Sequence, residues 1–398
     1  MNILIITNFF YPKIHIASFR MEAYAKYLCL AGHSVYVLAE GDSNETIIWE
    51  GCNVFYIKGS VDLMHLRFHD ADSVFWHKIK AGINYINGRI FLDKKISWQK
   101  RVLRKSEEIM KEKAIDVVLS TYGYLAPHLI ALEIKKNNPK IRWIADFRDE
   151  MSTNHLFSKM IRQKLRRVER KILDNADLIV SVSKPIIEDL KKNSSRDNFL
   201  EINNGYDFEE NKECLFQSSF TLSYIGSFYG SSRPDNLLHA LKDLKEQNKL
   251  PSNFILKIVG NQKPLVISDI LRNNVFQKGR VSHEQAINEM VTSDVLLIIS
   301  PSLGRKGVYT GKIFEYLAIN RNILALVDIN DVAAELIGLT NSGMAVDNSD
   351  INNIKKAICI LYEQWKERIP PSKKWELIKE FSRKNQVQKL LNYLGQQW

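Results

Sequence analysis

Two doubly wound α/β domains are the fold this 398-residue sequence predicts, on three observations. Short β-branched and apolar runs alternate with helical patterns along the chain, the signature of parallel sheets covered by helices. The polar stretch Asn203–Ser219, with its Asn204-Gly205 turn signal and an acidic run, separates two sets of strands. The length also exceeds what one core comfortably fills. The expected boundaries are a first Rossmann-like domain over residues 1–205, a linker over 206–219, a second Rossmann-like domain over 220–374 and a closing segment over 375–398.

The elements follow in order. Strands are predicted at Ile3–Thr7, Ser34–Ala39, Val54–Ile57, Val117–Ser120, Arg142–Ala145, Leu178–Val182 and Phe199–Ile202 in the first half. The second half offers Thr221–Ile225, Phe254–Val259, Val275–Gln277, Val295–Ile299, Ile323–Val327 and a weaker Met344–Val346. Residues 60–115 break the alternation: they are aromatic and basic without clear periodicity, and read as a variable insertion. The closing helix, Trp375–Leu394, has apolar positions at Leu377, Phe381, Leu390, Leu391 and Leu394.

Composition is that of a globular protein, and no apolar run is long enough to span a bilayer. The start Met1–Thr7 lacks a basic region and cleavage site and reads as a first strand, so a cytoplasmic protein is expected. Cys29, Cys52, Cys214 and Cys359 are scattered and expected to be reduced. The net charge of +11 is uneven: residues 1–205 carry 32 Lys and Arg against 24 Asp and Glu, the rest 24 against 21. A basic first half points to an anionic partner.

The segment Gly307–Ala318 carries the most chemistry. It lies between two strand-like runs, and Thr310-Gly311 has the character of a helix start: a capping hydroxyl, then a residue that lets a ligand approach the backbone. Such a start gathers free N–H groups, and Lys312 adds a full positive charge, so the segment suits a diphosphate. Glu315, one turn on, lies on the same face and can accept bonds from ribose hydroxyls.

Five segments in order resemble the GT-B glycosyltransferases, specifically glycosyltransferase family 4 and the branch that builds bacterial surface polysaccharides such as capsule and lipopolysaccharide. They are Ile3–Thr7 running into Asn8-Phe9-Phe10-Tyr11-Pro12 and Ser18-Phe19-Arg20; Ala145–Asp149; Ala176–Ser183 leading to Asn204–Asp207; Ser223–Ser227 with Arg233-Pro234; and Gly279–Glu284 with the Lys312/Glu315 helix. The resemblance implies two Rossmann-like domains facing across a cleft, with a C-terminal helix returning to the first. It implies a nucleotide-sugar donor in the second domain, with Val281 near the base, Glu315 at the ribose, and Gly226, Ser227, Arg233, Thr310, Gly311 and Lys312 at the diphosphate. Asn8, Tyr11 and Arg20 would face the acceptor. Where relatives carry an acidic residue eight positions before the ribose glutamate, this chain has Gly307, and where many carry His-Asp it has Arg148-Asp149.

Arg233 and Lys312 are expected to stabilise the departing diphosphate without a metal, Asp149 to orient the acceptor hydroxyl and Arg148 to hold an anionic acceptor group. The activity the resemblance implies is retaining transfer of a hexose from a UDP-linked donor to a lipid-linked or growing surface-polysaccharide acceptor. No cofactor is expected: there is no GxGxxG after the first strand, no P-loop, and no paired Cys/His set. Asp70-Ala71-Asp72 lacks a strand context and reads as surface charge, and His128, His155 and His283 as polar surface or core residues. The helix Lys159–Leu173 has an apolar stripe, Ile161, Leu165, Val168 and Ile172, amid seven basic residues, and is expected to lie on the anionic inner membrane surface. No nucleic-acid motif accompanies the charge. The alternatives are a non-hydrolysing UDP-sugar 2-epimerase and a catalytically silent GT-B partner subunit.

Overall fold

The computed structural model describes residues 1–13, 16–59, 76, 96–155, 157–228, 232–300 and 304–397. It divides into two compact units, Met1–Asn203 with Val387–Trp398, and Asn204–Gln386. The first runs β1 (Asn2–Thr7), α1 (Ile16–Leu30), β2 (Ser34–Gly41), β3 (Glu45–Trp49), β4 (Cys52–Lys58), α2 (Ile96–Glu112), β5 (Val117–Thr121), α3 (Ala126–Asn137), β6 (Arg142–Phe147), α4 (Lys159–Asn175), β7 (Leu178–Ser181), α5 (Lys184–Lys191) and β8 (Phe199–Glu201). The second continues with β9 (Thr221–Ile225), α6 (Asp235–Glu246), β10 (Ile255–Val259), β11 (Val275–Lys278), α7 (His283–Val291), β12 (Val295–Ser300), α8 (Gly311–Leu317), β13 (Asn322–Val327), α9 (Val332–Thr340), β14 (Gly343–Val346), α10 (Ile351–Lys366) and α11 (Trp375–Lys379), before α12 (Arg383–Gln397).

The first sheet has the order β3-β4-β2-β1-β5-β6-β7-β8, and the second β11-β10-β9-β12-β13-β14. The second is the doubly wound order 3-2-1-4-5-6, and the first contains the same reversal beside β1. Continuous apolar runs fit because both faces of each sheet are covered. In β1, Leu4 and Ile6 enter one core cluster while Ile3 and Ile5 enter the other. Every predicted strand is present, to within a residue or two at its ends.

Four findings differ from the sequence reading. The edge strand β3, antiparallel to β4, was not predicted. It is mostly exposed, Ile48 reaching 78%, so its residues carry little burial pattern. The readable signal is the turn Glu50-Gly51, where both residues have positive φ, +48° and +82°, as a tight hairpin requires. The stretch expected as a linker is tied into the second unit. Tyr206 is buried, its hydroxyl donates to Glu210 Oε1 at 2.6 Å, and Asn211 N–H donates to the Ala318 carbonyl at 2.9 Å.

The closing helix is broken at residues 380–382. Arg383 N–H donates to the Tyr206 carbonyl at 2.8 Å, and the Phe381 carbonyl lies so close to Gly205 that a Cβ there would have no room. Past the break, Val387, Leu390 and Leu394 join the core of the first unit. Finally, the apolar stripe of α4 faces its own domain: Leu165 and Ile172 are buried, and Ile161 and Val168 pack on the same cluster. The stripe is therefore not available to a bilayer, and only the basic face of α4 is solvated. Cys29 and Cys52 also come together, their Sγ atoms 2.7 Å apart. Most of the 60–115 insertion, including Asp70-Ala71-Asp72, lies outside the described residues. Among the described residues no helix is long and apolar enough to cross a membrane.

Candidate functional site

In doubly wound sheets ligands gather at the carboxyl ends of the strands where the order reverses. In the second unit this point lies between β9 and β12. β9 ends at Ile225 and passes into Gly226, with φ +133°, whose N–H donates to the Val259 carbonyl at 2.6 Å. Its neighbour β10 ends the same way, in Gly260 with φ +95°. A Cβ on Gly260 would sit 3.3 Å from the Gly226 Cα, so two bare backbones pass close together. A Cβ on Gly226 would lie 2.5 Å from Lys312 Cε and 2.7 Å from its Nζ. Glycine is thus what allows the Lys312 side chain to lie across the end of β9.

Helix α8 presents that lysine. Ile313, Phe314, Tyr316 and Leu317 are buried, and the Tyr316 hydroxyl accepts the Ile225 N–H at 3.1 Å, tying the helix to β9. Lys312 and Glu315 remain half-buried on the open side. Lys312 Nζ stands 3.7 Å from the centre of the Tyr224 ring, itself stacked on Phe228 at 4.2 Å. No hydrogen-bond acceptor reaches the amine among the described residues. Burial pulls its pKa down to about 7, against the attraction of Glu315.

Glu315 Oε1 receives a bond from His283 Nε2 at 2.9 Å. His283 opens α7, fixed by a capping box in which Ser282 accepts the Gln285 N–H and Gln285 accepts the Ser282 N–H. The bond to Glu315 raises the histidine pKa, with burial opposing. His283, expected as a polar surface or core residue, thus pairs with a residue of the candidate donor site. His128 and His155 fall as expected, the first buried against Ser120 with its pKa lowered by burial to about 3, the second exposed beside Arg162.

The other donor-side candidates are placed as follows. Thr310 stands at the helix start but makes no capping bond; its Oγ1 is buried with no partner among the described residues. Gly311 opens the helix beside it. Ser227 Oγ donates to the Gly260 carbonyl at 2.7 Å, and Val281 packs on the core cluster behind α8. Arg233 is exposed and paired with Asp235 at 2.8 Å. Gly307 has φ +81°, a backbone an acidic residue would adopt only under strain, and its N–H donates to Asp331 Oδ1 at 2.8 Å. Tyr224, Gly260 and His283 were missed in the sequence. The readable signals were Gly260 closing its strand as Gly226 does, and the Ser282-x-x-Gln285 box ahead of an apolar helix.

In the first unit the reversal lies between β1 and β5. Asn8, just beyond β1, is buried and donates to Glu40 Oε2 at 2.8 Å, while its Oδ1 has no partner among the described residues. Tyr11 is 46% exposed, its carbonyl accepting the Tyr56 hydroxyl. Arg148, following β6, donates through Nε to the Tyr122 carbonyl at 2.8 Å and lies 3.8 Å from Asp149. Gly123 leaves room for it beside Phe9. Arg20 is the correction here. It is buried, with Nη2 2.6 Å from Asp146 Oδ1 and Nη1 donating to the Asn203 carbonyl, so it ties α1 to β6 rather than presenting a charge to an acceptor.

Residues 20–210 match the profile of Glycosyltransferase Family 4. Similar solved structures include a UDP-forming α,α-trehalose-phosphate synthase from Burkholderia xenovorans in complex with glucose-6-phosphate (8% identity, 99% of this chain and 100% of that one, TM-score 0.66). A glycosyltransferase from Rickettsia africae ESF-5 aligns at 15% identity over 98% and 97% of the two chains, TM-score 0.61. WaaG, a glycosyltransferase involved in lipopolysaccharide biosynthesis, aligns at 14% identity over 99% and 95%, TM-score 0.57. The search of curated proteins finds no match by sequence. At these identities the structures establish the fold, and the family profile covers most of the first unit. The chain accordingly shares the two-domain GT-B fold of these structures, and over residues 20–210 it is similar to Glycosyltransferase Family 4.

Proposed function

We propose that this protein transfers a hexose from a nucleotide-sugar, with UDP as the nucleotide, to a lipid-linked or growing surface-polysaccharide acceptor, with retention of configuration and without a metal. The observation that carries the reading is Lys312: a half-buried lysine whose amine is laid over Gly226 and Tyr224, with no hydrogen-bond acceptor among the described residues. A diphosphate beside it would supply the missing acceptor, and the amine would offset the charge that grows on the leaving group. Glu315, oriented by His283, is suited to the ribose hydroxyls. Arg148 and Asp149 are suited to an anionic group and a hydroxyl of the acceptor. UDP is favoured because a structural relative is described as UDP-forming, and the polysaccharide acceptor because another is described as acting in lipopolysaccharide biosynthesis. The solvated basic face of α4 supports placement at an anionic membrane surface.

Product analysis with a panel of UDP-sugars and a lipid-diphosphate acceptor, run in EDTA, tests this. The expected result is transfer to the acceptor with the donor's anomeric configuration kept. Interconversion of the free UDP-sugar would instead identify an epimerase, and UDP binding without any product a silent partner subunit. Turnover lost in EDTA and restored by manganese would overturn metal independence.

A further inference from the structure

The first unit holds a cavity of about 420 Å³ between the β3–β4 hairpin and α2, lined by none of the residues assigned above. Its floor is the face of β4 that carries Phe55 and Ile57, and α2 supplies Arg101, Arg104 and Lys105. These three share a helix face, at spacings of three and four residues. Lys105 is already neutralised: its Nζ lies 3.0 Å from Glu108 Oε2 and 5.1 Å from the centre of the Phe55 ring. The two guanidiniums are not. Arg101 donates through Nη2 to the Lys58 carbonyl at 2.6 Å, but its Nε is buried with no hydrogen-bond partner. Arg104 is exposed and has neither acceptor nor carboxylate among the described residues. The remaining carboxylate on the wall is the exposed Glu45, so two arginines face one acid.

A buried N–H without an acceptor is costly, and in a native protein it calls for a partner, which a water or a bound group can supply. Paired guanidiniums match the oxygens of phosphate, and the volume suits a small organic ligand. We propose that this cavity is a second ligand site, taking a phosphate or diphosphate group on Arg101 and Arg104, with Phe55 and Ile57 as an apolar wall for the moiety that carries it. A free phosphorylated sugar and a phospholipid head group share this chemistry. The proposal does not depend on the donor site.

Calorimetry with inorganic pyrophosphate tests it on the full chain carrying Lys312→Ala, which removes the candidate donor contact. That protein should bind pyrophosphate, and adding Arg101→Gln and Arg104→Gln should weaken binding by at least about tenfold. No binding in the Lys312→Ala protein, or equal affinity with both arginines replaced, would overturn the site. Should circular dichroism show the combined variant unfolded, Arg104→Gln replaces it: Arg104 is exposed and makes no bond in the fold, and a loss of about threefold or more is expected, equal affinity again overturning the proposal. Flotation with phosphatidylglycerol and with phosphatidylcholine vesicles then separates the sources. Capture by phosphatidylglycerol that falls with the arginines assigns the head group. Capture that persists while pyrophosphate binding falls assigns a free phosphorylated molecule.

Discussion

His283 Nε2 and Glu315 Oε1 lie 2.9 Å apart, joining two helices of the second unit at the carboxyl edge of its sheet. The bond occupies one carboxylate oxygen and fixes the direction of the other. Glu315→Gln should therefore weaken UDP binding, by about tenfold, while leaving kcat little changed, because a ribose contact is similar in ground and transition states. His283→Gln keeps a donor and should act more mildly than His283→Ala. The histidine pKa is raised by this bond. Its contribution to stability is thus fully present below the ordinary value of 6.5 and is lost as pH rises through the raised one. Melting curves of His283→Gln should converge with wild type at the alkaline end. Parallel curves at every pH would contradict the pairing.

Lys312 carries the opposite sign. With its pKa lowered to about 7 from 10.5, the unfolded chain holds more protons than the folded one between those values. The amine therefore costs stability most at pH 7 and below, and the cost fades as pH approaches 10.5. Lys312→Met should stabilise the ligand-free protein by about 1–2 kcal/mol near neutral pH, the full shift being discounted because the amine keeps some contact with water. The same change should reduce turnover by about 2.7–4 kcal/mol in the transition state. UDP binding near pH 8 should draw a proton onto the amine, seen as a binding enthalpy that varies with the buffer's ionisation enthalpy. A buffer-independent enthalpy would sink this reading.

Gly226→Ala probes the same contact from the backbone. The new methyl would fall 2.5 Å from Lys312 Cε at a φ of +133°, so the residue is strained and the lysine is displaced. A loss of roughly 1–3 kcal/mol in stability, with UDP affinity falling alongside, is expected. Retained UDP affinity would place the diphosphate elsewhere.

Arg20 and Asp146 form a buried pair, with Thr121 Oγ1 also donating to the carboxylate at 3.0 Å. Removing one partner leaves an uncompensated charge, so Arg20→Met or Asp146→Asn should destabilise by about 3–5 kcal/mol in denaturant unfolding. A mild effect on stability with a large one on acceptor KM would return Arg20 to the acceptor side.

Anionic vesicles should bind the protein at low salt and release it as salt rises. Because the stripe of α4 lies in the core, the contact rests on charge alone, through the exposed Arg166, Arg167 and Arg170. Reversing the three to Glu should abolish sedimentation without unfolding. Unchanged binding would remove α4 from the membrane contact.

The strand pattern was legible in the sequence because both faces of each sheet are buried: runs such as Ile3–Ile6 and Val295–Ile299 are apolar throughout and need no partner to be recognised. Lys312 and Glu315 were legible too, since one helical turn places both on the same side of a short local segment. Burial and long-range pairing were not. Whether the α4 stripe met a core or a bilayer depended on which neighbour covered it, and a 3.6-residue period is the same in either case. Arg20 reads in sequence as one more surface cation; only the fold sets it against Asp146, 126 residues away. His283 finds Glu315 across 32 residues, and Gly226 is required because Lys312 arrives from another element. Local spacing fixes which side chains share a face, whereas partner, burial and pKa arise from contacts that exist only once distant segments have packed.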